Sequence, residues 1–135
     1  VHGLWGTTAY RVASDVRANP CQHTLLSVPA PFFVPGGRFR EMYYWDSCFI
    51  IQGLLVSGMM TSAKGMLRDM FALVAIYGFV PNGNRVYYLN RSQPPLLADA
   101  VWRYFTETQD WDFADEAVPH LETEHSFWQR PPHLV

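Results

Sequence analysis

The sequence is poor in charge and in long apolar runs, and each shortage excludes a class of protein. Charged residues make up 16% of the 135 positions, whereas hydrophobic residues make up 49% and aromatic residues 16%. This balance predicts a folded domain with a sizeable core and excludes a disordered segment. The formal net charge is −2 and the ten Lys and Arg residues are scattered, so we expect no nucleic-acid partner. No apolar run approaches the roughly 20 residues of a membrane-spanning helix.

Cysteine is also scarce, and the two present do not indicate a disulfide framework. Cys21 and Cys48 could pair in an oxidising compartment, but their spacing favours a small loop residue and a buried apolar residue. The five histidines lack metal-ligand spacing, and the glycine-containing turns lack the phosphate-binding pattern. We therefore expect no metal and no cofactor.

The first residues, VHGLWGTTAYRV, contain neither a starting methionine nor a charged start followed by an apolar signal core. We therefore expect the chain to be an internal piece of a longer protein. Apolar residues predict a first helix from about Val1 to Asn19, where Pro20 ends it. The proline-rich stretch from Pro20 to Trp45 predicts a long ordered connection.

The next two segments predict an α-hairpin. Residues 46–60 are apolar on nearly every side, which favours a buried helix with Asp46 as its N-cap. Residues 61–78 have an apolar stripe on one face, with Thr61 as the cap and Gly78 as the end, and form the outer helix. The stripe consists of Ala63, Met66, Met70, Val74 and Tyr77, with Lys64, Arg68 and Asp69 off it.

Two more helical segments follow a second long loop, in which RVYYL (85–89) has some strand character. Pro94 and Pro95 open the first of these helices. Asp110 and Asp112 start the second, which we expect to be broken or restarted at Pro119. The apolar stripe of the first helix consists of Leu96, Leu97, Ala100, Val101, Tyr104 and Phe105. Repeated α-hairpins predict an all-α protein, either an α/α barrel or another helical toroid.

The two long loops hold more polar and aromatic side chains than packing needs. A sugar ring offers apolar C–H faces, which aromatic rings cover, and hydroxyls, which carboxylates, amides and guanidinium groups satisfy. Both loops therefore have the composition of a sugar site. The first loop holds Arg38, Phe39, Arg40, Glu41, Tyr43, Tyr44, Trp45 and Asp46. The second holds Asn82, Asn84, Arg85, Tyr87, Tyr88, Asn90, Arg91, Ser92 and Gln93.

The same loops carry a family resemblance. PGGRFREMYYWDS resembles the first signature of the trehalases, and YGFVPNGNRVYYLNRSQPPLL resembles the segment that follows it in that family. The likeness covers essentially the whole chain, including LLSVPAPFFV and HSFWQR. It implies that residues 1–135 are the N-terminal part of a single domain, an incomplete (α/α) six-hairpin barrel. It also implies an inverting glycoside hydrolase that splits α,α-trehalose into two glucose molecules without a cofactor.

The resemblance also implies which residues bind the sugar. The matching positions are Arg38, Trp45 and Asp46 in the first motif, and Asn82, Arg91, Ser92 and Gln93 in the second. One departure is WDSCF, where the family most often has an aromatic residue after the serine. Because Cys48 lies one step into the predicted buried helix, this departure concerns packing and not binding.

The catalytic residues implied by the resemblance are absent from this sequence. Inverting glycosidases need an acid and a base carboxyl group roughly 6.5 to 9.5 Å apart. Trehalases place the acid in a Gly-Trp-Asp-Phe type segment and the base much nearer the C-terminus, and this chain contains neither. QDWDFAD (109–115) is only superficially similar, so we expect Asp112 to be an exposed helix cap. The 135 residues alone are therefore expected to be catalytically inactive.

Several alternatives remain open on the sequence. Glu41 could be a catalytic carboxylate, but an ion pair or a loop-bracing hydrogen bond is favoured. Asn90 starts an N-glycosylation pattern that we interpret as accidental, because a glycan there would block the sugar pocket. The chain could also be a non-catalytic sugar-binding domain or, less consistently with its polar loops, a helical interaction protein. The resemblance suggests an extracellular or membrane-anchored protein, and the oligomeric state is open.

Overall fold

The computed structural model describes residues 2–133, apart from the side chain of His2. This part of the chain is mainly helical, and two short strands pair antiparallel, Ala9 with Phe33 and Tyr10 with Phe32. The helices are α1 (His2–Thr8), α2 (Ser14–Ala18), α3 (Tyr44–Val56), α4 (Met60–Tyr77), α5 (Leu97–Thr108) and α6 (Trp111–Trp128). The strands are β1 (Ala9–Tyr10) and β2 (Phe32–Phe33), and 3-10 turns span Pro20–Gln22 and Val86–Tyr88. RVYYL thus forms a 3-10 turn and not a strand.

The prediction of one long first helix is wrong, because α1 ends at Thr8 and α2 begins only at Ser14. The backbone between them pairs with the segment around β2. Val34 N donates to the carbonyl of Thr8 at 2.9 Å, and the Trp5 ring packs edge-on against Phe33 with centroids 5.6 Å apart. These contacts between distant residues override the local helical pattern.

The start of α3 also differs from the prediction. The helix begins at Tyr44, and Asp46 lies inside its first turn without a capping hydrogen bond. The first amide groups of a helix need acceptors from outside it, and the second loop supplies them. Tyr44 N donates to the carbonyl of Asn82 at 3.2 Å, and Trp45 N donates to Oε1 of Gln93 at 3.1 Å. A cap from Asp46 is therefore not needed.

The helices α3 and α4 form the expected hairpin. The turn between them contains Gly58 at φ +73°, a backbone conformation that glycine adopts without strain. Thr61 is not the cap, because α4 already begins at Met60, whereas Gly78 ends the helix in the left-handed conformation as predicted. Apart from Tyr77, which is half-buried, the predicted α4 stripe is buried: Ala63, Met66, Met70 and Val74.

Apolar side chains on α3 remain on the surface in this part of the chain. Phe49 is 57% exposed and Val56 is 91% exposed. By contrast, α4 contacts α3, α5, α6 and β2. The prediction of a buried helix therefore holds for only one side of α3 in the described residues, where Cys48, Ile51 and Leu54 are fully buried.

The second hairpin consists of α5 and α6. Pro119 does not break α6, which continues from Trp111 to Trp128. Pro119 lies on the exposed side of the helix, where water can satisfy the carbonyl group that has lost its partner. The N-cap is Asp110 and not Asp112: Oδ1 of Asp110 accepts from Phe113 N at 3.1 Å.

None of the helices described between residues 2 and 133 is long and apolar enough to cross a membrane. Both cysteines are free thiols, Cys21 exposed and Cys48 buried. Their predicted characters, a loop residue and a buried apolar residue, are confirmed.

Asp69 was predicted to lie off the buried stripe, but it is fully buried on α4. Oδ1 accepts from Ala30 N at 2.7 Å, and Oδ2 is buried with no hydrogen-bond partner in the described structure. The carboxyl group ties α4 to the segment that leads into β2. Its burial raises the pKa of Asp69 from 3.8 to about 8, against the weaker opposing effects of the Ala30 amide and the Arg17 charge.

This burial predicts a pH dependence of stability. Between pH 4 and pH 8 folded Asp69 holds a proton that the unfolded chain has released, so the free energy of unfolding falls as pH rises, by at most about 1.4 kcal/mol per pH unit. We expect Asp69→Asn in the full-length protein to remove this slope, measured as urea midpoints from pH 5 to pH 8. The control is Asp115→Asn on the exposed face of α6. An unchanged slope in Asp69→Asn would contradict the assignment.

Candidate functional site

The candidate site lies where the N-terminus of α3 meets the loop between α4 and α5. The loop accepts hydrogen bonds from the first two amides of α3. The backbone also forms an isolated antiparallel bridge between Tyr43 and Gly83. Asn82 N donates to the carbonyl of Arg91 at 3.0 Å, which closes the second loop on itself. The two polar loops of the sequence therefore meet as one ordered surface.

Asn84 fixes this meeting point from beneath. It is 0% exposed, and its Oδ1 accepts from Met42 N at 2.9 Å while its Nδ2 donates to the carbonyl of Leu26 at 3.3 Å. The Asn84 backbone repeats the link: its N–H donates to Met42 O at 3.0 Å and its carbonyl accepts from Leu26 N at 2.8 Å. One residue thus joins three chain segments. Sequence reasoning placed Asn84 among the sugar-loop residues, but nothing local indicated this role.

Gly83 permits the close approach of the loops. A Cβ at this position would lie 3.1 Å from two ring carbons of Tyr88 and 3.2 Å from the carbonyl oxygen of Met42. A larger residue would therefore push the second loop away from the first.

The two loops enclose an open cavity of about 340 Å³. Aromatic rings form part of its wall, and a carboxylate and two amide side chains supply hydrogen-bonding groups. This combination matches the apolar faces and hydroxyl rim of a sugar. The lining residues are Pro35, Phe39, Tyr43, Trp45, Asp46, Asn82, Tyr88 and Gln93.

Four residues predicted to bind sugar meet in this cavity: Trp45, Asp46, Asn82 and Gln93. Trp45 is 43% exposed. Oε1 of Gln93 accepts from the backbone amide of Trp45, so Nε2 of Gln93 is the group that can donate to a ligand.

The two predicted arginines stack on aromatic rings that line the cavity. The guanidinium carbon of Arg38 lies 5.1 Å from the ring centre of Phe39, and that of Arg91 lies 4.8 Å from the ring centre of Tyr88. Both arginines are exposed. Each arginine therefore contacts an aromatic ring that lines the cavity, but neither arginine is itself among the lining residues.

Ser92 has a supporting position. Its hydroxyl group donates to the carbonyl of Val80 at 2.6 Å. Ser92 and Arg91 line a neighbouring depression of about 400 Å³ with Phe79 and Trp128. The structure therefore does not bring Ser92 into the first cavity.

Tyr44 was grouped with the sugar-facing aromatics, but it faces the core and is 1% exposed. Its hydroxyl group donates to Oε2 of Glu124 at 2.9 Å and accepts from Leu97 N at 3.0 Å. Burial raises the pKa of Glu124 above its usual range, although the bonds from Tyr44 and Val80 oppose this. Sequence reasoning missed this contact, because Glu124 is 80 residues away along the chain.

The acidic groups near the site have different surroundings. Among the residues described, Asp46 is the one carboxylate that lines the cavity. Glu41 binds Arg85 and Tyr43, so its predicted loop-bracing role is confirmed. Asp112 lies exposed in the first turn of α6. Among the side chains that the structure describes, no three of His, Cys, Asp or Glu are grouped as metal ligands.

Comparison of the sequence with known proteins agrees with the family resemblance carried by the two loops. The family model for trehalase matches residues 1–135. The chain belongs to the trehalase family. It is 47% identical to the trehalase of Arabidopsis thaliana over 100% of this chain and 22% of that protein. It is 45% identical to the trehalase of Homo sapiens over 96% of this chain and 22% of that protein.

A solved structure shows the same fold. The neutral trehalase of Saccharomyces cerevisiae matches with a TM-score of 0.66 and 34% identity, over 75% of this chain and 19% of that one. The predicted fold class, part of an α/α barrel of helical hairpins, is confirmed. The chain spans about a fifth of the length of these relatives.

The central role of Asn84 gives a stability prediction. Asn84→Ala would leave the buried amide of Met42 and the carbonyl of Leu26 without partners, so we expect the free energy of unfolding to fall by about 2–4 kcal/mol. Urea denaturation of the full-length protein measures this loss. The control is Asn19→Ala, because Asn19 is exposed and its side chain donates to the nearby carboxylate of Asp15. Equal losses in the two variants would contradict the assignment.

Proposed function

We propose that this chain supplies part of the sugar pocket of an enzyme that hydrolyses α,α-trehalose to two glucose molecules with inversion. The observation that carries the proposal is the cavity where Trp45, Asp46, Asn82 and Gln93 converge. Hydroxyl-binding groups of this kind would also serve other disaccharides. The choice of trehalose as the substrate is supported by membership of the trehalase family.

Each lining group has a role that follows from its chemistry. The Trp45 ring covers a C–H face of the glucose unit, and Asp46 accepts hydrogen bonds from hydroxyl groups. Asn82 and Gln93 complete the polar rim. Arg38 and Arg91 carry the positive charge next to the cavity, where small movements of their long side chains bring them to the sugar. Ser92 holds the second loop in place through Val80.

The bond-breaking groups are assigned to other parts of the full-length protein. Inversion needs two carboxyl groups roughly 6.5 to 9.5 Å apart on either side of the bond. The described cavity contains the carboxylate of Asp46 alone, and both oxygens of Glu41 are already bonded. We therefore infer that residues 1–135 bind and orient the sugar, and that by themselves they do not cleave it.

The proposal predicts that the full-length protein releases glucose from trehalose, and that Asp46→Asn lowers kcat/KM by about 10- to 100-fold because a charged hydrogen bond is lost. A glucose assay measures both. Asp99→Asn is the matched control, because Asp99 lies exposed on α5 and pairs with Arg103. Binding of trehalose without glucose release would contradict hydrolysis and favour a non-catalytic sugar-binding domain.

A second pair of variants tests Arg91, which lies over a ring that lines the same cavity. Arg91→Ala removes the charge that stacks on Tyr88, and we expect a loss of kcat/KM of about tenfold or more. Arg103→Ala, on the exposed face of α5, should leave the rate unchanged. Equal values of kcat/KM in the two variants would contradict a role for Arg91 in sugar binding.

A further inference from the structure

The carboxylate of Glu41 links the two loops beside the cavity. Its Oε2 accepts from the hydroxyl group of Tyr43 at 2.5 Å, and its Oε1 accepts from Nε of Arg85 at 3.1 Å. Arg85 also donates to Oγ1 of Thr24 at 2.8 Å. The side chains of Glu41 and Arg85 are 14% and 28% exposed, so water screens this ion pair less than it screens a fully exposed pair.

These bonds determine what Tyr43 presents to the cavity. Tyr43 lines it, and its ring packs edge-on against Phe39 and Tyr88 with centroids 5.7 and 6.1 Å away. Burial, followed by the hydrogen bond to Glu41, raises the pKa of the Tyr43 hydroxyl group. The group therefore stays protonated and donates to Glu41. The ring is held by packing on its sides and by Glu41 at its tip.

We propose that Glu41 and Arg85 are positioning residues, whose ion pair holds the Tyr43 ring as an aromatic wall of the cavity and so sets its affinity for sugar. Neither Glu41 nor Arg85 is among the residues that line the cavity. They act through Tyr43 and not by touching the ligand. The inference rests on the proposed function for the identity of the sugar, but the linkage between the loops is independent of it.

Glu41→Gln tests the proposal in the full-length protein, because it keeps the shape of the side chain and removes its charge. We expect KM for trehalose to rise about tenfold, as for the loss of a hydrogen bond to a charged group, while kcat changes less than about twofold. The matched control is Glu116→Gln. Glu116 does not line the cavity, and its two carboxylate oxygens accept from Nε and Nη2 of Arg68 at 2.8 and 2.6 Å. KM and kcat should therefore stay at their wild-type values.

A second variant guards against misfolding of the first. Tyr43→Phe keeps the ring and removes the hydroxyl group that Glu41 holds. We expect it to raise KM as Glu41→Gln does, and the double variant to be no worse than either single variant, because both changes break the same link. Additive effects on KM would show that Glu41 acts independently of Tyr43 and would overturn the proposal.

Hydrogen exchange separates this proposal from the proposed function. In Glu41→Gln we expect faster amide exchange in peptides covering residues 36–46 and 83–89, and unchanged exchange there in Glu116→Gln. This result in a protein that does not cleave trehalose would support the linkage while contradicting the function. Unchanged exchange together with unchanged KM would overturn the proposal. A fall in kcat at constant KM would also overturn it, because Glu41 would then act on bond cleavage.

Discussion

The buried side-chain amide of Asn84 holds together the chain segments from which the cavity is built. An amide is suited to this position because it both accepts and donates, and here it accepts from Met42 N and donates to the carbonyl of Leu26. With these bonds in place, the second loop lies against the start of α3 and supplies the acceptors for its first amides. The helix start and the cavity therefore depend on the same contact.

The side chains that support the loops are different from those that face the cavity. Asn84 and Ser92 are bonded to the backbone, and Glu41 joins the loops beside the cavity. Asp46 and Asn82 line the cavity itself. In the proposed function, rigid support of this kind lowers the cost of ordering the loops on sugar binding.

The sequence was sufficient for the fold class and for four of the lining residues, because long apolar stripes and a long gapless motif are local signals. It was insufficient where contacts between distant residues decide the outcome. The early end of α1 depends on the pairing with β2, and the start of α3 depends on the second loop. The burial of Asp69 depends on the segment around Ala30. None of these partners lies close enough in the chain to leave a local pattern.

The most direct test of the account is a crystal structure of the full-length protein with trehalose bound to a catalytically inactive variant. We predict a glucose unit in the cavity between the two loops, stacked on Trp45 and within hydrogen-bond distance of Asp46 and Asn82. A sugar bound elsewhere, with these three side chains uncontacted, would contradict the claim that the two loops form the pocket.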